Sequence, residues 1–296
     1  MQAIVIFAAM ILGVLFPQGH QFTFLVRYLV MIMLFYAFLR IRFNWRVLSK
    51  LHFLIAGLNI TLPLLLYLIF SRIDPIIGLA AFTIGMAPTA AGAPVMAGFL
   101  RQDVGFVTLS VILTSPIVAL ILPLLLPQII AVDQPISVLD VLIPVAILVF
   151  VPLILGQIIR RQFPAWVPYF FKLGNVPFYL FVTNIYIAAG KATHFIRHEA
   201  EAPLLLVGGI AVCIGLVCFS LFKSGEAVGR YFDKDQEAGL ALGRKNTMFG
   251  LWVALTFINP LVALGPIFYI VFQNLYNTWQ LWLVNKSLKA KKAAQA

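Results

Sequence analysis

Arg244 and Lys245 stand side by side near the middle of an apolar run, with Gly243 before them and Asn246 and Thr247 after. A cation at membrane depth costs about 3 kcal/mol or more unless something compensates it. Such a pair therefore points to an anion-binding site. Neighbours on a helix point about 100° apart, so the two cannot share one direction: one faces a site, and the other snorkels or pairs elsewhere. A second interruption carries no charge. Gly85-Met86-Ala87-Pro88-Thr89-Ala90-Ala91-Gly92-Ala93-Pro94 holds two prolines and two glycines. Each proline removes a backbone donor and clashes with the preceding turn. The freed carbonyls need partners, so the stretch unwinds only inside protein or beside a watery cavity. With both breaks at one depth, half-helices beginning near Ala90 and Asn246 present unpaired N–H groups and a partial positive charge to an anion. Lys245 adds to that charge.

The elements that carry these breaks follow from composition. Hydrophobic residues make up 62% of the 296 residues and charged ones 10%, with a mean hydropathy of +1.01. Soluble domains run to about 45–50% and about 25%. No water-facing fold hides that excess, whereas a lipid bilayer does, so the chain reads as an all-α polytopic membrane protein. Ten apolar segments are expected at about 2–17, 23–40, 47–71, 75–99, 103–130, 136–160, 168–190, 203–224, 235–257 and 260–285. The first lacks the basic leader and small-residue cleavage site of a signal peptide and reads as a span.

The net charge of +11 is not a nucleic-acid footprint, because the bases sit in short connections. On the side of the N-terminus lie Arg40, Arg42, Arg46, Lys50, Arg101, Arg160, Arg161, Lys172, Lys223, Arg230, Lys234 and the tail residues Lys286, Lys289, Lys291 and Lys292. Opposite them are Arg27, Arg72, Lys191 and Arg197, mixed with Asp74, Asp133, Glu199 and Glu201. The excess of Lys and Arg inside predicts two cytoplasmic termini and an even span count, and a bacterial inner (plasma) membrane is the expected location. The segment opening Asp74-Pro75-Ile76-Ile77-Gly78-Leu79-Ala80 resembles in kind the one opening Asp235-Gln236-Glu237-Ala238-Gly239-Leu240-Ala241, five spans later. An odd repeat inserts its second copy upside down, which predicts two inverted five-helix halves, 1–130 and 131–296.

Other polar residues carry less. Asn59, Asn184, Thr114 and Ser115 read as interhelical hydrogen bonders as readily as site residues. Cys213 and Cys218 lie in an apolar run and read as packing thiols. His194 and His198 have i, i+4 spacing but sit in what reads as a polar connection, without a neighbouring carboxylate or thiol. Acids keep to segment ends: Asp103, Asp140 and Glu237. No nucleophile with a base, H-E-x-x-H or paired acids mark an enzyme, and no cofactor is expected.

The run Pro88-Thr89-Ala90-Ala91-Gly92-Ala93-Pro94-Val95-Met96, with Arg101 and then Leu113-Thr114-Ser115-Pro116, resembles the fourth and fifth helices of the bile acid:sodium symporter family. Ala241-Leu242-Gly243-Arg244-Lys245-Asn246 resembles that family's ninth-helix motif, Glu-x-Gly-x-Gln-Asn. The resemblance implies crossed, discontinuous helices 4 and 9 in a core domain that moves against a panel of helices 1, 2, 6 and 7. It also implies substrate contacts at Thr89, Asn246 and Gln273. The departures fall on the implied sodium site. Ala241 stands for the family's Glu, Lys245 for its Gln, Ala93-Pro94 for a Ser-Asn pair, Val107 and Val111 for two hydroxyl residues, and Asn59 for a helix-3 Gln. Sodium needs oxygen donors, so no intact sodium site is expected, and the Lys245 ammonium takes the cation's place. The resulting expectation is a carrier for a small organic anion working by alternating access, either uniport or proton-coupled. A sodium-coupled symporter and a channel are the alternatives.

Overall fold

Residues 2–41, 45–130, 137–198 and 204–293 are described in a computed structural model of the chain. Arg42, Asp133, Glu199 and Glu201 lie outside them, as do the side chains of Lys289, Lys291 and Lys292. Among the described residues there is no strand, only one isolated bridge between helices. The helices are α1 (Gln2–Leu15), α2 (Leu25–Arg40), α3 (Lys50–Phe70), α4 (Pro75–Met86), α5 (Ala93–Phe99), α6 (Val104–Ile129), α7 (Val138–Gln162), α8 (Val167–Lys172), α9 (Val176–His198), α10 (Leu204–Arg230), α11 (Asp235–Gly243), α12 (Thr247–Val253) and α13 (Leu264–Ala293). α3, α6, α7 and α10 are each long and apolar enough to cross a membrane; α4 and stretches within α1 and across α12 are shorter apolar helices. Large apolar side chains such as Leu68, Leu139, Val212 and Leu275 stand more than half exposed, as lipid-facing residues do. The chain is thus an all-α protein of membrane type.

The helix starts follow local chemistry. Asp74 caps α4, its Oδ1 accepting the Ile76 N–H at 2.7 Å with Pro75 in the first turn. Asp103 caps α6 by accepting the Phe106 N–H at 3.0 Å. Ser137 and Asp140 form a reciprocal capping box on α7.

Three apolar segments hold two helices each. The fourth contains α4 and α5, and the ninth contains α11 and α12. The seventh, expected as one piece, divides into α8 and α9 around Leu173-Gly174-Asn175. α9 also continues to His198, so Lys191, His194 and Arg197 lie on a helix rather than in a polar connection. Their spacing of three and four residues is itself helical. α13 likewise runs on past 285 to Ala293.

α1, α2, α7 and α9 pack on one another through the pairs α1–α9, α2–α7 and α2–α9. α10 lies against α11, α13, α4 and α3, and α6 against α3, α5 and α11 and, across to the first group, against α7. The α10–α11 approach is close enough that a Cβ on Gly225 would come within 2.4 Å of the Ala238 carbonyl oxygen. The two broken pairs, α4/α5 and α11/α12, sit inside this second group.

Candidate functional site

After Met86 the backbone turns extended at Ala87 and does not resume a helix until Ala93; after Gly243 it turns extended at Arg244 and resumes at Thr247. The two unwound stretches run antiparallel against each other. The Ala90 N–H donates to the Arg244 carbonyl at 2.7 Å, and the Asn246 N–H donates to the Pro88 carbonyl at 2.8 Å. Thr89 and Lys245 form the isolated bridge. Each break thereby satisfies backbone groups that the other leaves free, which low-dielectric surroundings require.

Side chains finish the helix ends. Thr89 Oγ1 donates to the Ala241 carbonyl at 2.6 Å, and the Tyr269 hydroxyl on α13 donates to the Gly243 carbonyl at 2.6 Å. Thr114 Oγ1 accepts the Thr89 N–H at 3.1 Å and donates to the Ser110 carbonyl at 2.8 Å. At α12, Asn246 Oδ1 accepts the Phe249 N–H at 3.2 Å.

The paired cations diverge. Lys245 is 1% exposed and its ammonium donates to Asn59 Oδ1 on α3; Asn59 Nδ2 in turn donates to the Met86 carbonyl at 3.4 Å. Arg244 lines a cavity of about 300 Å³ that Lys245 also borders. Its Nε and Nη1 are buried without a hydrogen-bond partner, and so is Gln273 Oε1 on α13, which lines the same cavity. Among the described residues no carboxylate lies within ion-pair distance of either cation. Met33 and Ala37 of α2 and Phe181 of α9 form one wall; Ala91, Gly92, Asn246 and Thr247 form the other. A second cavity of about 430 Å³ shares Met33, Ala37, Ala91 and Gly92 with the first and continues past Pro94 and Tyr36 to Arg40, the end of α2.

Of the four residues expected at the substrate, Asn246 and Gln273 line the cavity. Lys245 borders it, with its ammonium donating to Asn59 Oδ1. Thr89 is 1% exposed and ties the breaks together. The sequence puts Lys245 rather than Arg244 at the substrate; in the structure both line the cavity, the Arg244 guanidinium lying over Gly92. The expected free N–H groups are also engaged. α5 starts at Ala93 rather than near Ala90, the Ala93 N–H is bonded to the Ala90 carbonyl, and Asn246 occupies that of Phe249.

At the degenerate positions, Ala93, Val107, Val111 and Ala241 are fully buried apolar side chains without an oxygen to offer, and Pro94 lines the second cavity. Asn184 is fully buried, with Nδ2 at 3.7 Å from Met33 Sδ and Oδ1 without a partner. Ser115 donates to the Val111 carbonyl at 2.8 Å. Cys213 and Cys218 are buried free thiols. His194 stacks on His20 with centroids 3.8 Å apart, a ring-on-ring contact rather than ligand geometry.

Outside the apolar belt, Lys234 Nζ reaches Asp103 Oδ2 at 2.9 Å and Glu237 Oε1 at 3.7 Å, while Glu237 Oε1 accepts the Asp103 N–H at 3.2 Å. This cluster joins the start of α6 to the start of α11. The hydrogen bond from Lys234 holds the Asp103 carboxyl below its ordinary value, and the same bond raises Lys234. No protein-family model matches the chain, and no curated protein matches it.

Proposed function

We propose that the protein is a secondary transporter of a small organic anion that works by alternating access, not an enzyme or a channel. Ten spans form two inverted five-helix halves, 1–130 and 131–296, with both termini cytoplasmic. The observation that carries this reading is the cavity itself. It lies where two broken helices meet, between the α1–α2–α7–α9 group and the rest, and Arg244 and Lys245 both line it. Breaks of this kind at the interface of two helix groups are how carriers build sites at mid-membrane. Rocking of one group against the other opens the cavity first to one side and then to the opposite side. The neighbouring cavity running to Arg40 supplies the cytoplasmic mouth.

Transport is sodium-independent in this reading, by uniport or with a proton. Lys245 stands as a permanent substitute for a bound cation, and its hydrogen bond to Asn59, one of the degenerate ligand positions, supports that role. The apolar side chains at Val107, Val111 and Ala241 support it too. The test is uptake of a panel of radiolabelled organic acids into proteoliposomes, with and without an inward sodium gradient. Saturable uptake that ignores sodium is expected. Strong sodium dependence overturns the coupling, and single-channel currents overturn the carrier.

A further inference from the structure

We infer that the surface between α10 and α13 is a phospholipid site. A groove there seats an acyl chain, and the cavity at its end takes a headgroup with a phosphate and a primary ammonium, as in phosphatidylethanolamine. The site is separate from the cavity at the two breaks and does not depend on the transport reading.

The two helices advance side by side in one direction. Gly215 sits against the Phe272 ring, Phe222 stacks on Tyr276 with centroids 4.1 Å apart, and the Tyr276 hydroxyl donates to Glu226 Oε1 at 2.6 Å. Along them runs a shallow apolar groove of about 410 Å³, from Gly215 and Phe272 to Trp279. Its rim residues Phe219, Leu275 and Trp279 are exposed, as side chains that meet lipid are. Trp279 also borders a second cavity, of about 460 Å³, that Lys223, Arg230, Asp235 and Gln236 line. From Gly215 to Arg230, α10 rises about 22 Å, which matches half of a bilayer with its headgroups. Groove and cavity together are therefore one leaflet deep, with carbon at the inner end and charge at the outer.

Charge selects the headgroup. Lys223 Nζ lies 2.6 Å from Glu226 Oε2, so these two cancel. Lys234 is engaged with Asp103, and Lys286 rests over the Trp282 ring at 5.1 Å. Arg230 and Asp235 make no ion pair with each other or with another described residue, and they leave one charge of each sign on the cavity. The guanidinium fork suits a phosphate, and the carboxylate suits an ammonium that can donate to it. An anionic headgroup without an ammonium leaves Asp235 unmatched. Choline has no N–H for that carboxylate, and the aromatic faces that would serve it instead are taken. Lys223 Nζ already lies 5.8, 5.6 and 5.2 Å from the ring centroids of Phe219, Tyr276 and Trp279.

The test reads Trp279 in the full-length protein in detergent micelles, as the fluorescence difference between wild type and Trp279→Phe. The quenchers are phospholipids with identical chains, brominated along the chain, bearing ethanolamine, choline or glycerol headgroups. The ethanolamine lipid is expected to quench Trp279 at about a tenth of the mole fraction that the other two need. Asp235→Asn should erase that preference, and Arg230→Gln should weaken all three lipids by about tenfold. Where a variant fails to fold, mass spectrometry of intact wild-type protein–lipid complexes from the same micelles ranks the three headgroups and decides the question. Equal affinity for the three, tightest binding of the choline or glycerol lipid, or no quenching of Trp279 by any of them overturns the assignment. So does a preference that survives Asp235→Asn, or undiminished binding in Arg230→Gln.

Discussion

Between Met86 and Ala93 the chain unwinds through prolines and alanines and brings no charge; between Gly243 and Thr247 it unwinds in three residues, two of them cationic. Pro88 lies within the first break and Pro94 in the first turn of α5, but proline alone does not open it, since α6 runs unbroken through Pro116, Pro123 and Pro127. The second contains no proline, and its backbone is held open by partners: Pro88 and Ala90 of the other break, Thr89 on the Ala241 carbonyl and Tyr269 on the Gly243 carbonyl. The two stretches thus hold each other open, and the second alone carries charge.

The sharpest way to break this comparison is to add one methyl group to each side. On Gly243 a Cβ would lie 2.3 Å from Cγ of Phe222, a fully buried ring that cannot retreat. Gly243→Ala is expected to lose about 3 kcal/mol, read by reversible unfolding in detergent. On Gly92 the nearest atom is Arg244 Nη2 at 3.7 Å, so Gly92→Ala should stay within about 0.5 kcal/mol of wild type. Equal losses at the two sites would falsify the difference in packing between the two breaks.

A smaller effect is expected where the second break meets α3. Asn59→Leu strips the buried ammonium of its acceptor and should cost about 2 kcal/mol. The pair Asn59→Leu/Lys245→Met removes charge and acceptor together and should return stability to within about 1 kcal/mol of wild type, with transport abolished. Recovery of transport in the double variant would remove Lys245 from the mechanism.

Thr89→Val deletes one tie between the breaks and should cost about 1 kcal/mol, as should Tyr269→Phe at the other orphaned carbonyl. A loss confined to one of the two would show which tie holds the second break open. The smallest effect belongs to Asp103 and Lys234, whose side chains are 38% and 33% exposed, so solvent screening keeps the pair under about 1 kcal/mol. Asp103 is depressed: its contribution is present above the ordinary 3.8 and fades as pH falls through the lower native value. Lys234 is raised: its contribution is present below 10.5 and fades as pH rises through the higher native value. Wild type and Asp103→Asn should therefore differ by a constant amount between about pH 5 and 9 and converge at the acid end, as measured by thermal unfolding against pH.

The positions of both interruptions were legible in sequence because proline, glycine and mid-span charge are local signals. The helical identity of the long apolar runs was legible for the same reason. The orientation of Arg244 against Lys245 was not, since it depends on a strand more than 150 residues away. Thr89 is a substrate contact only by family resemblance; its hydroxyl is given to the Ala241 carbonyl, a distant partner that no local signal reveals. The end of α9 is hidden in sequence, because Lys191, His194, Arg197 and His198 have the composition of a connection although they continue one helix.

The backbone exchange between Pro88 and Asn246 also bears on how the chain is made. The first break emerges from the ribosome before the second exists, and at about 5–20 residues per second the wait is roughly 10–30 s. Through that interval Pro88 and Thr89 lack the partners that the finished fold gives them, so water or an insertion factor must cover them. A nascent chain cut short before α11 keeps that exposed segment permanently, which marks it for quality control. Maturation of the first half is therefore timed by synthesis of the second.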